Sequence, residues 1–400
     1  MILEKFIESN LGQVSYIIAD KNEAVIIDPR RDIDGYIEFL TRNNLNLKYI
    51  INTHTHADYI GGHLELVEIY PSATNIFQKD VPAKFDFIQV KESDVFNIGD
   101  LKLKILETPG HTPFCISILV EENGVNKYIF TGDFLFVGDI GRPDLLGDEK
   151  LDELVESSYK SANKLWNLKD DVIVFTSHIE GSLCGKNLSN NYFSTIGIEK
   201  QTNSSFKLSQ NKKEYINNLL NQNIETPKFF KKMAKINIEG PKLLKELLSI
   251  KYIFDIMQYV DNKDIFIIDF RHPNCFKEGF IKNSINVYEY SNVNLIIGSL
   301  IDIEKELILV GDENTNFKDI IKKLRRIGFD NIIGIYKLDL MDNLEKFKEK
   351  QHQKTIDLDK DIMLSDIPNM KNIDFDVKCK NGYKSMAVKS FINKLNGENK

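Results

Sequence analysis

Short apolar runs alternate with turn residues through the first half of the chain. Val14–Ala19, Ala24–Ile27, Tyr49–Asn52, Leu101–Leu106, Ile116–Val120, Tyr128–Thr131 and Val172–Thr176 read as strands. Between them, Leu151, Leu154, Val155, Ser158, Ala162 and Leu165 recur at helical spacing. Strands packed with helices around Asp- and His-rich loops predict an α/β sandwich. Asn203–Asn223 is polar and Asn/Lys-rich, and Pro227 and Gly240-Pro241 punctuate the residues after it. This places a domain boundary between about Glu225 and Gly240.

A second α/β pattern comes next, with strands at Ile265–Phe270, Leu307–Val310 and Asn331–Ile335 and a helix at Phe317–Ile327. The Glu/Lys-rich stretch Leu340–Lys354 reads as a solvated helix or linker. Strand Ile373–Lys378, a cysteine loop and helix Met386–Leu395 close the chain. The expected division is 1–235, 243–340 and 355–400. A length of 400 residues agrees with it, since a single core of that size is uncommon.

With 42% hydrophobic and 28% charged residues the composition is globular. Net charge is −7, acids and bases are interleaved, and no polybasic tract points to nucleic acid. The start Met1-Ile2-Leu3-Glu4-Lys5 lacks a signal-peptide pattern, and no apolar run approaches the ~20 residues a bilayer requires. The expectation is a cytoplasmic protein with no membrane partner. Cys115, Cys184, Cys275 and Cys379 are too few and too scattered for a disulfide framework.

Candidate chemistry concentrates after the strands. Thr53-His54-Thr55-His56-Ala57-Asp58 comes directly after the run Tyr49–Asn52, and Gly110-His111-Thr112, Thr131-Gly132-Asp133 and Ser177-His178 lie further along. Ionisable ligands at strand ends are how such a scaffold builds a site above its sheet. Five of the seven histidines fall in this half, which points to a bound metal.

These blocks, with Thr108-Pro109-Gly110-His111-Thr112, resemble the metallo-β-lactamase superfamily over about residues 1–200 and imply its αββα sandwich. The family's H-x-H-x-D-H motif is broken, because Tyr59 stands where the last His belongs. A dinuclear zinc hydrolase relies on that His, so one metal is expected. Single-metal members are the persulfide dioxygenases, and the resemblance implies one Fe(II) per chain, held by His54, His111 and Asp133. Two imidazoles and a carboxylate suit non-haem Fe(II) oxygenases; a zinc hydrolase keeps one position open for water. His56, Asp58 and His178 then orient the ligands or, in the zinc alternative, hold a second metal.

Phe136-Val137-Gly138-Asp139-Ile140-Gly141-Arg142-Pro143-Asp144-Leu145 and Gly181-Ser182-Leu183-Cys184-Gly185-Lys186-Asn187-Leu188-Ser189 resemble segments of dioxygenase–rhodanese fusion proteins. Arg142 and Thr112 are the substrate-binding candidates, Arg142 as a clamp for carboxylate or phosphate. Cys184 is expected near the cavity mouth, as a site of persulfide attachment or as packing.

Downstream, Ile267-Ile268-Asp269-Phe270-Arg271, Phe276-Lys277-Glu278-Gly279-Phe280-Ile281 and Ser284-Ile285-Asn286-Val287 resemble a rhodanese domain over about 243–338. Its active loop would be Gly311-Asp312-Glu313-Asn314-Thr315-Asn316, which has no cysteine and implies a catalytically inactive module. Cys379-Lys380-Asn381-Gly382-Tyr383-Lys384-Ser385 resembles the C-x-x-G-x-R-S active loop of that family, with Lys384 for Arg. A helix N-terminus and lysines would favour a nucleophilic thiolate at Cys379. The segment is shorter than a full rhodanese domain and must lean on its neighbour.

The implied function is oxidation of a small-thiol persulfide (glutathione, coenzyme A or similar) with O2 to sulfite and thiol, coupled to sulfurtransfer yielding thiosulfate, in a homo-oligomer. The alternatives are a zinc thioester hydrolase of the glyoxalase II kind and a non-enzymatic sulfane-sulfur carrier using Cys184 and Cys379.

Overall fold

A computed structural model describes residues 1–145, 147, 150–221, 226–227, 229–247, 249–338, 344–346, 355–370 and 376–396. By its internal packing the chain divides into two units: residues 1–226 with 230–243, and 227–229 with 244–400.

The first unit opens with β1 (Ile2–Glu8), β2 (Gln13–Asp20), β3 (Glu23–Ile27), α1 (Asp34–Arg42), β4 (Asn46–Ile51), α2 (His63–Ile69), β5 (Thr74–Gln78) and β6 (Ile88–Val90). These six strands form one sheet in sequence order, antiparallel through β3 and parallel beyond it. The chain continues with β7 (Val95–Ile98), β8 (Leu101–Glu107), β9 (Ile116–Glu122), β10 (Val125–Phe130), α3 (Leu151–Trp166), β11 (Ile173–Phe175) and β12 (Phe193–Thr195). They supply the second sheet, ordered β12-β11-β10-β9-β8-β7.

Alternation along a strand decides which side each residue faces. In β2, Val14, Tyr16 and Ile18 enter the core between the sheets with Ile105, Ile118 and Phe130, while Ile17 and Ala19 face the other way against Tyr36, Phe39 and Leu40 of α1. On the far side Leu119, Ile129 and Val174 pack against Val155, Ala162 and Leu165 of α3. Two sheets with helices outside each make the αββα sandwich.

The polar stretch after β12 is folded into helices. These are α4 (Ile196–Thr202), α5 (Ser204–Leu208) and α6 (Lys212–Leu220), succeeded by α7 (Phe229–Glu239). The asparagines serve there as caps: Asn203 accepts from Phe206 N and Asn211 from Glu214 N. Phe206, Tyr215 and Leu219 reach the α3 core. Helix α7 runs through the stretch where the sequence predicts a boundary.

The second unit contains β13 (Lys251–Tyr252), β14 (Ile265–Asp269), α8 (Pro273–Glu278), β15 (Ile285–Asn286), α9 (Val293–Leu300), β16 (Glu306–Gly311), α10 (Phe317–Arg326) and β17 (Ile332–Lys337). Its sheet, β13-β17-β16-β14-β15, is parallel throughout. The tail contributes β18 (Thr355–Asp357), β19 (Asp376–Lys378) and α11 (Tyr383–Asn396). Helix α11 docks on this sheet: Ser390 Oγ accepts from Asn286 N at 2.9 Å, Phe391 stacks on Phe266, and Met386 joins Phe276 and Phe280. Most of the expected Leu340–Lys354 segment and the start of strand Ile373–Lys378 lie outside the described residues. No helix among the described residues is long and apolar enough to cross a membrane.

Candidate metal centre

Strand ends deliver the ionisable residues. Asp28 comes after β3, the Thr53–Asp58 loop after β4, His111 lies between β8 and β9, Asp133 comes after β10 and His178 after β11. Backbone hydrogen bonds tie these ends together: Ile116 N donates to Thr53 O at 2.8 Å, Ser177 N to Gly132 O at 3.2 Å, and Val14 N to Ser177 O at 2.7 Å. Glycine is required at 141, where a Cβ would overlap the carbonyl oxygen of Asp133.

The chain fixes the proton on two of the imidazoles. His111 Nδ1 lies 2.8 Å from Arg142 O, and a carbonyl only accepts, so this nitrogen carries the hydrogen. Thr53 Oγ1 gives its hydrogen to Asp28 Oδ2 at 2.8 Å and therefore accepts from His54 Nδ1 at 3.0 Å. Both rings are left with a bare lone pair on Nε2. These Nε2 atoms lie 3.7 and 3.6 Å from Asp133 Oδ2. His54, His111 and Asp133 are buried, and one ligand atom from each lies within 4.8 Å of the others.

Burial holds His54 well below the ordinary histidine range, with neighbouring His56 adding to it, and burial likewise lowers His111. Burial is also the largest single influence on Asp133 and favours its neutral form. His178, His54 and a hydrogen bond from His178 together outweigh it, so Asp133 stays below the carboxylate range. Two neutral imidazole lone pairs and one carboxylate converging in a dry site fit a divalent transition metal.

His56 stands apart from this set. Its Nε2 is 3.1 Å from Asp28 Oδ1 and its ring stacks on Tyr59, whose hydroxyl donates to Asp28 O at 3.2 Å. Sequence reasoning missed Asp28, which organises the floor of the site. It accepts from Thr53 N at 2.7 Å and Ser177 Oγ at 2.7 Å besides Thr53 Oγ1 and His56. Its position between strand residue Ile27 and Pro29 is the same strand-end signal that points to the other ligands.

His178 is clasped by two carboxylates, Nδ1 at 2.8 Å from Asp133 Oδ1 and Nε2 at 2.8 Å from Asp58 Oδ2. Burial opposes its charge, but Asp133, Cys184 and Asp58 outweigh burial and hold His178 well above the ordinary value. Asp58, His178 and Cys184 form a second group of convergent ligand atoms. Cys184 is buried, not at a cavity mouth, and burial pushes its thiol up to about 12.

The two long sequence blocks meet each other. Arg142 N donates to Cys184 O, Ser189 N to Val137 O, and Asp139 accepts from the amides of Lys186 and Asn187. Arg142 is not free to clamp a substrate. Its fork is bidentate on Asp144 at 2.6 Å, with further bonds to Leu183 O and Thr226 Oγ1, and it is fully buried. The side chain of Thr112 faces Cys115, with 3.1 Å between Oγ1 and Sγ.

In the second unit, Cys379 Sγ accepts from Ser385 N at 3.3 Å at the start of α11. Lys384 does not serve the thiol as expected: its Nζ is engaged by Asp359 at 2.9 Å, which also accepts from Lys380 N. Cys275 is exposed on α8.

A family model of the metallo-beta-lactamase superfamily matches residues 10–178, and one of rhodanese-like domains matches 255–346. A crystal structure of a metallo-beta-lactamase from Staphylococcus aureus subsp. aureus COL is 30% identical with a TM-score of 0.74, covering 84% of this chain and 99% of that one. ETHE1 from Myxococcus xanthus is 28% identical with a TM-score of 0.51, covering 59% of this chain and 98% of its own. A hydroxyacylglutathione hydrolase from Francisella philomiragia subsp. philomiragia is 32% identical over 173 residues, 43% of this chain. The chain spans 65% of that relative's length. The chain belongs to the metallo-β-lactamase superfamily, with that fold in its first unit and a rhodanese-like domain in its second.

Proposed function

We propose that the chain is a mononuclear non-haem Fe(II) persulfide dioxygenase, with His54, His111 and Asp133 as the ligands. The carrying observation is the pair of imidazoles locked as Nε2 donors beside Asp133, with His56 drawn onto Asp28 and Tyr59 in place of the motif's last His. That leaves three protein donors, as an oxygenase site requires. The ETHE1 likeness supports this reading among solved structures.

The net reaction is R–S–SH + O2 + H2O giving R–SH + sulfite + two protons. Iron bound there supplies the redox couple and the open positions that sulfur and oxygen need. The protein's own residues hold the geometry. Thr53 and the Arg142 carbonyl fix the two rings, His178 aligns Asp133, and the buried pocket restricts water. Cys379 takes the terminal sulfur of a second persulfide, releasing R–SH, and passes it to sulfite as thiosulfate.

The zinc thioester hydrolase reading has its own support in the hydroxyacylglutathione hydrolase likeness. Anaerobic purification, metal analysis and oxygen uptake with a persulfide decide between the two. The dioxygenase reading expects one iron per chain and uptake matched by sulfite. Bound zinc with thioester hydrolysis and no uptake would sink it.

A further inference from the structure

Cys379 sits among lysines, four of them between residues 378 and 389. Three are matched by acids. Lys378 Nζ is 3.9 Å from Asp357, Lys384 Nζ is 2.9 Å from Asp359, and Lys389 Nζ is 2.9 Å from Asp376. The fourth, Lys380, is exposed, and its side chain has no ion pair among the described residues.

Strand register puts Asp359 at this loop. β18 and β19 run parallel with Asp357 opposite Lys378, so two residues further on Asp359 comes opposite Lys380. Its carboxylate then holds the loop at both ends: Oδ2 accepts from Lys380 N at 2.8 Å, and Oδ1 takes Lys384 Nζ. Between those ends Cys379 Sγ accepts from Ser385 N. The Lys380 amide first, and Lys384 after it, keep Asp359 below the ordinary carboxylate range, so it is charged at neutral pH. The other side of the loop is aromatic. Tyr383 meets His272 and Tyr288 there, with ring centroids at 6.1 and 5.0 Å, and His272 Nδ1 accepts from Asn274 N as a neutral ring does.

We propose that Asp359 sets how the Cys379 loop receives anions: by taking Lys384 as its counter-ion, it leaves Lys380 alone to draw an anionic sulfur acceptor toward the cysteine. The identity of that acceptor, a small oxyanion of the sulfite class, rests on the sulfurtransfer reading above. In that step the sulfite sulfur attacks the terminal sulfur of the Cys379 persulfide and the S–S bond breaks. The electron pair stays on Cys379 as thiolate, and the persulfide proton goes to water as thiosulfate leaves. Asp359 touches no reacting atom; it is a positioning residue that acts through Lys384.

Alkylation of Cys379 in the full chain, with iodoacetate compared against iodoacetamide at one pH, tests this. The ratio of the two rates cancels the thiolate fraction and reports local charge, and exposed Cys275 is the reference in the same peptide digest. Asp359→Asn frees Lys384 and should raise the Cys379 ratio roughly threefold, the effect of one added charge close by in water. Lys384→Met leaves Asp359 without its counter-ion and should lower the ratio, as should Lys380→Gln. Asp359→Asn combined with Lys384→Met should return it to the wild-type value. In thiosulfate formation, Asp359→Asn should lower the KM for sulfite and leave kcat unchanged. An unchanged ratio in Asp359→Asn or in Lys380→Gln would overturn the proposal. So would a rise that persists in the double variant, which is what a loop that merely opens would give. A wild type that makes no thiosulfate would refute the sulfurtransfer reading alone, because the alkylation ratios require no turnover.

Discussion

His178 Nδ1 stands 2.8 Å from Asp133 Oδ1, and this contact joins the two donor sets of the first unit. Through it the ring fixes which way the Asp133 carboxylate faces, so His178 acts on the proposed iron site through Asp133. His178→Gln keeps a polar side chain and loses the two-sided clasp. Metal affinity at His54, His111 and Asp133 should fall roughly 10–100-fold, read by chelator competition. Unchanged affinity would mean that Asp133 is positioned without it.

Asp133→Ala removes the one carboxylate of the proposed iron set, and oxygen uptake with persulfide should disappear. Cys379→Ser, in the other unit, should leave uptake intact and abolish thiosulfate formation. Uptake surviving in the first variant would refute the ligand assignment.

Gly141→Ala places a methyl group against the Asp133 carbonyl, where the backbone has no room. The strain should lower stability by about 3 kcal/mol. Because Arg142 O holds His111, the displaced backbone should also weaken metal loading. Denaturation monitored through Trp166, the chain's single tryptophan and a residue of the first unit, together with metal analysis, checks both effects.

Lys394 on α11 donates to Ile265 O and lies over the Phe266 ring, yet burial pulls it down from 10.5 to about 8. A base lowered in the folded state destabilises folding while both states are charged. That penalty is complete below pH 8 and fades as pH rises toward 10.5, since the folded protein releases its proton first. Stability of the second unit should therefore rise across this window. Lys394→Met should flatten the rise relative to wild type in denaturant unfolding monitored by circular dichroism. Identical pH profiles for the two proteins would refute the assignment.

Much of the first unit is legible in the chain itself. The runs from Val14 to Thr176 that read as strands correspond to β2, β3, β4, β8, β9, β10 and β11, and the spacing from Leu151 to Leu165 corresponds to α3. Such segments carry their own signal because a buried strand must alternate and a packed helix must repeat. Strands β1, β5, β6, β7 and β12 escape that reading. Three of these have only three or four residues, and β1 is a sheet edge with little full burial, so pairing with neighbours defines them more than composition does.

Residue type and position after a strand, together with family likeness, point to His54, His111 and Asp133 without any knowledge of their convergence. Which atoms face each other is a different matter. That Arg142 spends its fork on Asp144, that Lys384 answers Asp359, that His56 turns to Asp28, and that Cys184 reaches Asp58 depend on how distant loops meet. The chain itself determines the periodicity of its elements and the donors at their ends. Sheet order and register decide the partners, because they bring together in space groups that no local spacing relates.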